Sequence, residues 1–292
     1  MSRTNFNELL EAGAHFGHLK RKWNPNMAPY IFKELNGIHI IDLHKTIVKI
    51  DEAANAARQI AKSGRKILFV ATKKQAKDIV AERVKEIKMP YITERWSGGT
   101  LTNFPTIRKA VKKMQSIDKK LNDGTFEQLS KRERLQIERQ RAKLEKTLGS
   151  ISDLTRLPAA LFAVDVSKEY IAVYEANKLN IPVFGIVDTN SDPGPIDFPI
   201  PANDDASKSI DLIISVICNA IKEGQEERKA GKEISEAEKP KKEEKTERPR
   251  TTKKSAAKVE RPGEKEEKKD ITTDKPKASG EKSPEEKSGN TK

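Results

Sequence analysis

The sequence has few aromatic residues and a single cysteine. Phe, Trp and Tyr make up 5% of its 292 residues. Because Cys218 is the single cysteine, an intramolecular disulfide and a cysteine-based zinc site are excluded. Its apolar neighbours predict that it is a small side chain of the core. Cysteine usage this low is typical of a reducing compartment, so we expect a cytoplasmic protein.

Long apolar runs are also missing. No run approaches the roughly 20 residues that are needed to cross a bilayer. The segment from Met1 to Leu10 lacks the apolar core of a secretion signal. We therefore expect neither membrane insertion nor secretion.

The common catalytic and nucleotide-binding motifs do not occur. The sequence contains no G-x-G-x-x-G after a strand, no G-x-x-x-x-G-K-S/T and no G-x-S-x-G. The first apolar strand runs into Thr72-Lys73-Lys74-Gln75, which has no glycine to let a pyrophosphate approach the backbone. These absences argue against a dehydrogenase, a nucleotide hydrolase and a serine hydrolase.

The charge that is present is mostly positive. The chain has 57 Lys and Arg against 44 Asp and Glu, a net charge of +13, which predicts a polyanionic partner. Residues 225–292 hold 21 basic and 17 acidic residues and no Phe, Trp or Tyr. Such a segment cannot bury enough apolar surface to order itself, so we expect a folded domain at 1–224 and a disordered tail at 225–292.

Alternating apolar runs and amphipathic helices predict the fold of the domain. Residues 67–71, 161–164 and 183–187 are continuously apolar, as in strands of a parallel sheet covered on both faces. We expect an α/β fold with a doubly wound, mostly parallel sheet of the flavodoxin or Rossmann type. Residues 30–32 and 38–41 predict a separate strand pair turning at Asn36-Gly37. The last helix should end before Gly224.

One segment, residues 104–150, interrupts the alternation. Ser130 and Glu133 form a capping box that begins its second helix. We expect an inserted antiparallel coiled-coil hairpin, because two narrow apolar stripes flank a turn signal. Residues 105–150 contain 13 basic and 6 acidic residues. This charge indicates either an RNA contact or a solvated helix surface. The excess of positive over negative charge favours RNA. The two stripes are Ile107, Val111, Met114, Ile117 and Leu121, then Ile137, Leu144, Leu148 and Ile151.

The candidate RNA-binding residues are basic side chains and the two tryptophans beside them. A tryptophan near a cation can stack on a nucleobase, but packing in the core is the commoner role and is favoured for both. Gly98-Gly99 either lets the backbone approach a phosphate or partner or makes a sharp turn. The full candidate set is Lys20, Arg21, Lys22, Trp23, Lys73, Lys74, Arg95, Trp96, Arg108, Lys109, Lys112, Lys113, Lys131, Arg132, Arg134, Arg139 and Arg141.

A possible divalent metal site, for zinc or magnesium, involves His18, Asp188, Asp204 and Asp205. Carboxyl ends of parallel strands gather polar groups in one crevice, and His and carboxylates are metal ligands. The alternative is structural: Asn203 or Asp204 caps a helix, and Asp192 makes a turn. No cofactor is required by either interpretation.

Three motifs in order resemble one family. The first is Phe16-Gly17-His18 followed by Trp23-Asn24-Pro25. The second is Arg95-Trp96-Ser97-Gly98-Gly99-Thr100-Leu101-Thr102-Asn103. The third is Pro182-Val183-Phe184-Gly185-Ile186-Val187-Asp188-Thr189-Asn190-Ser191-Asp192-Pro193, continued by Ile200-Pro201-Ala202-Asn203-Asp204-Asp205-Ala206. Together they resemble the bacterial small-subunit ribosomal protein S-two family over residues 5–224. Ser97 and the long tail depart from the family pattern.

The resemblance implies a structural, non-catalytic component of the small ribosomal subunit. It also implies binding to small-subunit ribosomal RNA and to neighbouring ribosomal proteins, including ribosomal protein S-one, in ribosomes of the cytoplasm. Two other hypotheses remain at this point. One is an α/β enzyme or nucleotide-binding protein with a basic accessory hairpin. The other is an adaptor that acts through its tail.

Overall fold

The computed structural model describes residues 3–123 and 130–238, apart from the side chains of residues 122 and 232–238. It begins with helix α1 (Phe6–Glu11) and a three-stranded antiparallel sheet in the order β1-β3-β2. The strands are β1 (Phe16–Leu19), β2 (Ile31–Leu35) and β3 (Ile38–Ile41). The turn at Asn36-Gly37 has φ of 52° and 78°, as a type I′ hairpin requires, so the predicted strand pair is confirmed. Strand β1 was not predicted, because it has four residues and none of them is fully buried.

The main sheet has five parallel strands in the order β5-β4-β6-β7-β8. This is the flavodoxin-like order, which confirms the predicted fold class. The last strand was missed because Pro199 and Pro201 argue against a strand; as an edge strand β8 tolerates them. The strands are β4 (Ile67–Val70), β5 (Tyr91–Ile92), β6 (Ala160–Val164), β7 (Val183–Val187) and β8 (Phe198–Pro201).

Helices cover both faces of this sheet. Alternate strand residues point to opposite faces: Phe69 packs in one core cluster, and its neighbours Leu68 and Val70 pack in the other. Helices α2 (Leu43–Lys62), α3 (Lys74–Glu86) and α7 (Ser207–Glu238) cover the first face. Helix α6 (Tyr170–Lys178) covers the second.

The predicted end of the last helix before Gly224 requires correction. Helix α7 continues through Gly224 to Glu238. Gly224 is not a helix cap: a Cβ there would lie 2.4 Å from the backbone oxygen of Arg58 on α2, so the glycine permits a close contact between two helices. The tail at 225–292 was expected to be disordered, but its residues 225–238 continue α7. Residues 239–292 lie outside the described residues.

Residues 104–150 form two helices, α4 (Phe104–Asn122) and α5 (Lys131–Leu148). The capping box of Ser130 and Glu133 is confirmed at the start of α5. The helices contact each other through an ion pair of Arg141 with Asp118. The turn was predicted at Asn122-Asp123-Gly124, and residues 124–129 lie outside the described residues. A coiled coil stays a prediction. Within the described part of the chain, no helix is both long and apolar enough to cross a membrane.

Candidate nucleic-acid interface and metal site

A crevice of charged side chains lies at the carboxyl ends of the parallel strands. The strand order reverses between β4 and β6, the position where flavodoxin-like folds bind ligands. Lys73, just after β4, places its Nζ 2.7 Å from Asp204 Oδ1, 2.7 Å from Asp205 Oδ1 and 3.4 Å from Asp165 Oδ2. The expectation that this edge of the sheet gathers polar groups is confirmed.

The N-terminal motif brings His18 into the same crevice. A Cβ at Gly17 would lie 2.5 Å from Thr189 Cγ2, so glycine lets β1 lie directly against the loop after β7. The backbone N–H of His18 donates to Thr189 Oγ1 at 2.8 Å. In this position His18 Nδ1 is 2.9 Å from Asp188 Oδ2, and Nε2 is 3.4 Å from Asp205 Oδ2.

The crevice shifts the pKa values of its own groups. The nearby Asp188 carboxylate raises the pKa of His18. Burial raises the pKa of Asp204, and the carboxylates of Asp165 and Asp188 raise it further. Burial alone would lower the pKa of Lys73, but its contacts with Asp204 and Asp205 raise it. Lys73 therefore stays charged at neutral pH and offsets part of the negative charge around it.

Three of the four predicted metal ligands form a compact donor set. One donor atom each from His18, Asp188 and Asp204 lies within 4.8 Å of the others. Asp204 Oδ2 is buried and accepts no hydrogen bond from the described residues, so it remains available to a cation. Asp188 Oδ2 is also buried, and it lies 2.9 Å from His18 Nδ1. Asp205 is half-exposed and uses one oxygen for Lys73.

The structural alternatives hold for the neighbouring residues. Asn203 Oδ1 accepts hydrogen bonds from the backbone N–H groups of Asp205 and Ala206 and so caps the turn before α7. Asp192 Oδ1 accepts from the Gly194 N–H at 2.9 Å, as expected of a turn. Asp204 does not cap the helix, since its carboxylate is buried against Lys73.

Lys73 must be removed from the candidate RNA-binding set. Its ammonium group is largely buried and contacts three carboxylates, so it is already neutralised within the protein. Sequence reasoning missed this role because the three carboxylates follow β6 and β8, far from Lys73 in the chain. Asp165, which was not predicted as a site residue, completes this group.

Trp96 must also be removed, and the core interpretation of it is confirmed. It is 7% exposed, and its indole Nε1 donates to Glu175 Oε1 at 3.1 Å. The same carboxylate accepts from the N–H groups of Gly99, Leu101 and Thr102. The glycine loop therefore wraps a buried glutamate of α6, and the N–H groups that might have met a phosphate are already used. The sequence offered one sign of this role: Glu175 lies on the apolar side of α6, where a carboxylate needs hydrogen-bond partners.

The basic side chains of α4 form one exposed surface. Opposite the buried residues Val111, Met114 and Ile117, the helix presents lysines three and four positions apart. None of these lysines forms an ion pair with another described residue. We call this set the α4 lysine surface: Lys109, Lys112, Lys113, Lys119 and Lys120.

The remaining candidates on α4 and α5 differ in their exposure and in their contacts within the protein. Lys131, Arg132 and Arg139 on α5 are exposed. Arg108 donates to the backbone oxygen of Leu154, and Arg141 pairs with Asp118 and Glu145, so both also hold the helices in place. Arg134 is half-buried on the same helix.

The other candidates lie outside α4 and α5. Lys20 pairs with Glu34 at 2.8 Å, whereas Arg21, Lys22, Lys74 and Arg95 are exposed. Trp23 is 37% exposed and packs against the ring of His39, so the core interpretation holds only in part.

Comparison with known proteins identifies the family. The sequence profile of the family described as Ribosomal protein S2 matches residues 9–224. The chain belongs to this family. It is 73% identical over 237 residues to the Small ribosomal subunit protein uS2 of Phocaeicola vulgatus and to that of Bacteroides thetaiotaomicron. Each alignment covers 81% of this chain and 85% of the relative.

A further relative gives the same assignment. The Small ribosomal subunit protein uS2 of Parabacteroides distasonis is 68% identical over 247 residues, covering 84% of this chain and 89% of the relative. The chain is therefore a structural constituent of the small ribosomal subunit and not an enzyme. The resemblance drawn from the three motifs is confirmed, and the enzyme hypothesis is excluded.

Proposed function

We propose that the chain binds small-subunit ribosomal RNA, chiefly through the α4 lysine surface and the exposed cations of α5. The observation that carries this proposal is the unpaired state of the lysines on α4. A solvated helix usually intersperses acidic residues, whereas Asp118, the acidic residue within α4, already pairs with Arg141. The exposed face therefore has uncompensated positive charge.

The chemistry of these contacts suits the RNA backbone. Lysines in a line along a helix meet phosphates as point charges and need no particular base. RNA shape then sets where the helix pair lies, and Arg132 and Arg139 add bidentate phosphate contacts. Such binding should depend strongly on salt, since each contact releases counterions.

Charge reversal on α4 tests the proposal. Full-length protein with Lys109, Lys112 and Lys113 changed to Glu is titrated against small subunits prepared without this protein, at several salt concentrations. Three lost phosphate contacts should lower the salt slope of binding by about 2 units. A variant with Lys33, Lys178 and Lys208 changed to Glu is the control, because these exposed lysines lie outside the candidate surface. Equal binding by both variants would contradict the proposal.

Protein partners follow from the same assignment. The proposal includes neighbouring small-subunit proteins and ribosomal protein S-one, and places the chain on ribosomes of the cytoplasm. The support for ribosomal protein S-one is the family resemblance alone. Its retention on small subunits with and without this chain, measured by quantitative mass spectrometry after a salt wash, tests that contact.

The proposal extends to a structural divalent metal held by His18, Asp188 and Asp204. The support is the donor set described above, in which Asp188 and Asp204 are buried and Asp204 Oδ2 lacks a hydrogen-bond partner among the described residues. One imidazole nitrogen combined with carboxylate oxygens suits zinc, whereas magnesium prefers an all-oxygen shell. A bound ion would offset the excess of carboxylates that Lys73 leaves unneutralised.

Metal content and thermal stability test this site. Zinc should co-purify with the protein in a one-to-one ratio and raise its Tm, because a ligand that binds only the folded state stabilises it. Asp188→Asn should abolish both effects. Asp192→Asn is the matched control, since this carboxylate lies on the same loop but serves a turn. If zinc neither co-purifies nor shifts the Tm, the carboxylates act only as partners of Lys73 and His18.

A further inference from the structure

A second basic surface lies at the opposite edge of the parallel sheet, where the strands begin. Three adjoining clefts open there, with volumes of about 220, 430 and 460 Å³, and Lys66 lines all of them. We call the cations of these clefts the amino-edge surface. They are Arg65, Lys66, Lys85, Lys88, Arg156, Arg228 and Lys229.

The charge of the amino-edge surface is not compensated locally. All its cations are exposed except the half-buried Lys66, and each lacks an ion pair with the residues that the structure describes. Asp153 is the acidic residue among those that line the three clefts. Seven positive side chains against one negative side chain produce a field that attracts a polyanion.

The fold gathers these cations from four separate segments. Arg65 and Lys66 precede β4, Lys85 lies in the last turn of α3 and Lys88 follows that helix, and Arg156 precedes β6. The extension of α7 past Gly224 supplies Arg228 and Lys229. A Cβ at Gly64, whose φ is +78°, would lie 2.2 Å from the guanidinium carbon of Arg228, so that glycine admits the arginine to the surface.

We infer that the amino-edge surface is a second docking site for the phosphate backbone of small-subunit ribosomal RNA. This rests on the proposed function, but it uses residues on a different part of the molecule from α4 and α5. RNA suits the surface because clefts lined by Arg and Lys, with little acidic charge, offer several phosphate contacts along a strand. The rest of the chain is a poor occupant, because residues 239–292 carry 18 basic and 12 acidic residues and so a net positive charge.

Charge reversal at three exposed positions tests the inference. Arg65, Lys85 and Arg156 span the clefts and are changed to Glu in the full-length protein. The salt slope of binding to small subunits prepared without this protein should fall by about 2 units. The salt slope should fall by about the same amount when the three residues are changed to Gln, since neutral side chains also lose the phosphate contacts. Unchanged circular dichroism and Tm establish that both variants fold.

The controls separate the two proposals. The variant with Lys33, Lys178 and Lys208 changed to Glu should bind as the wild type does. Failure of the wild type to bind the subunits overturns the proposed function itself. Binding by the wild type, with the amino-edge variants matching the control, overturns only the amino-edge inference.

Lysine acetylation distinguishes RNA from an acidic protein partner. Lys66, Lys85 and Lys88 should react more slowly with an acetylating reagent in the assembled subunit than in the free protein. Ribonuclease digestion should restore their reactivity if RNA covers them. Protection that persists after digestion means that a protein occupies the surface, and the inference is then wrong.

Discussion

The indole Nε1 of Trp96 donates a hydrogen bond to the Glu175 carboxylate, and both side chains are buried. This contact joins the glycine loop after β5 to α6. In the sequence, α4 and α5 lie between that loop and α6. Glu175 thus fixes the loop from which α4 begins. Substitutions at this residue should change stability through several hydrogen bonds at once.

Glu175→Ala should lower the free energy of unfolding by about 3 kcal/mol, because it leaves several buried donors unsatisfied. Glu175→Gln keeps one acceptor oxygen but turns an NH₂ group toward those donors, so we expect a loss of about 1–2 kcal/mol. Urea unfolding at neutral pH measures both. Glu11→Gln, at an exposed carboxylate of α1, is the control. A Gln variant as stable as the wild type would show that the charge of Glu175 contributes nothing.

The stabilisation by Glu175 should depend on pH. Burial alone would raise the pKa of Glu175, but the hydrogen bonds from Thr102, Gly99, Trp96 and Leu101 lower it below its ordinary value. A carboxyl whose pKa is lower in the folded state stabilises the protein above its unfolded pKa and loses this effect as pH falls through the folded pKa. The difference in unfolding free energy between wild type and Glu175→Gln should therefore shrink below about pH 4. A constant difference across acid pH would contradict this assignment.

Gly17→Ala should destabilise the protein by about 1–3 kcal/mol, since the added methyl group would overlap Thr189 and push β1 away. Thermal and urea unfolding measure the effect. Gly98→Ala is a matched control from the other glycine motif, because a Cβ at Gly98 meets no atom within 4 Å. Equal stability of the two variants would mean that β1 adjusts to the extra volume without cost.

Truncation should distinguish the two parts of the tail. A chain ending at Gly224 loses the hydrogen bond from Gln225 to the Ile87 oxygen and the ion pair of Lys62 with Glu227, and the end of α7 loses its support. We expect it to be about 1–3 kcal/mol less stable. A chain ending at Glu238 should match the full-length protein in urea unfolding. If the chain ending at Gly224 is equally stable, residues 225–238 contribute no net packing energy.

The sequence predicts those parts of the fold that rest on local patterns. The apolar runs of β4, β6 and β7, the Asn36-Gly37 turn and the Ser130 capping box each lie within a few residues, and all are found. Gly224 shows the limit of this reasoning. A glycine late in a helix is typical of a cap, and only the neighbouring helix reveals that it permits a close contact.

Site residues follow the same rule. Asp188 was predicted at the end of a parallel strand and Asp204 at the start of the last helix, where such folds gather polar groups in one crevice. His18 was added because histidine and carboxylates are metal ligands. Lys73 was misassigned because a lysine that neutralises buried carboxylates looks, in sequence, like one that binds phosphate. The amino-edge surface was missed because its cations come from separate segments and form no run.

The hydrogen bond from His18 to Thr189 joins residues 171 positions apart. During synthesis, β1, β2 and β3 leave the translating ribosome long before the loop against which they pack. At about 5–20 residues per second, the wait is on the order of 10–30 s. For that time the N-terminal sheet has no partner, and the carboxylates of the crevice do not yet exist. The crevice therefore forms late, after nearly the whole domain has been synthesised.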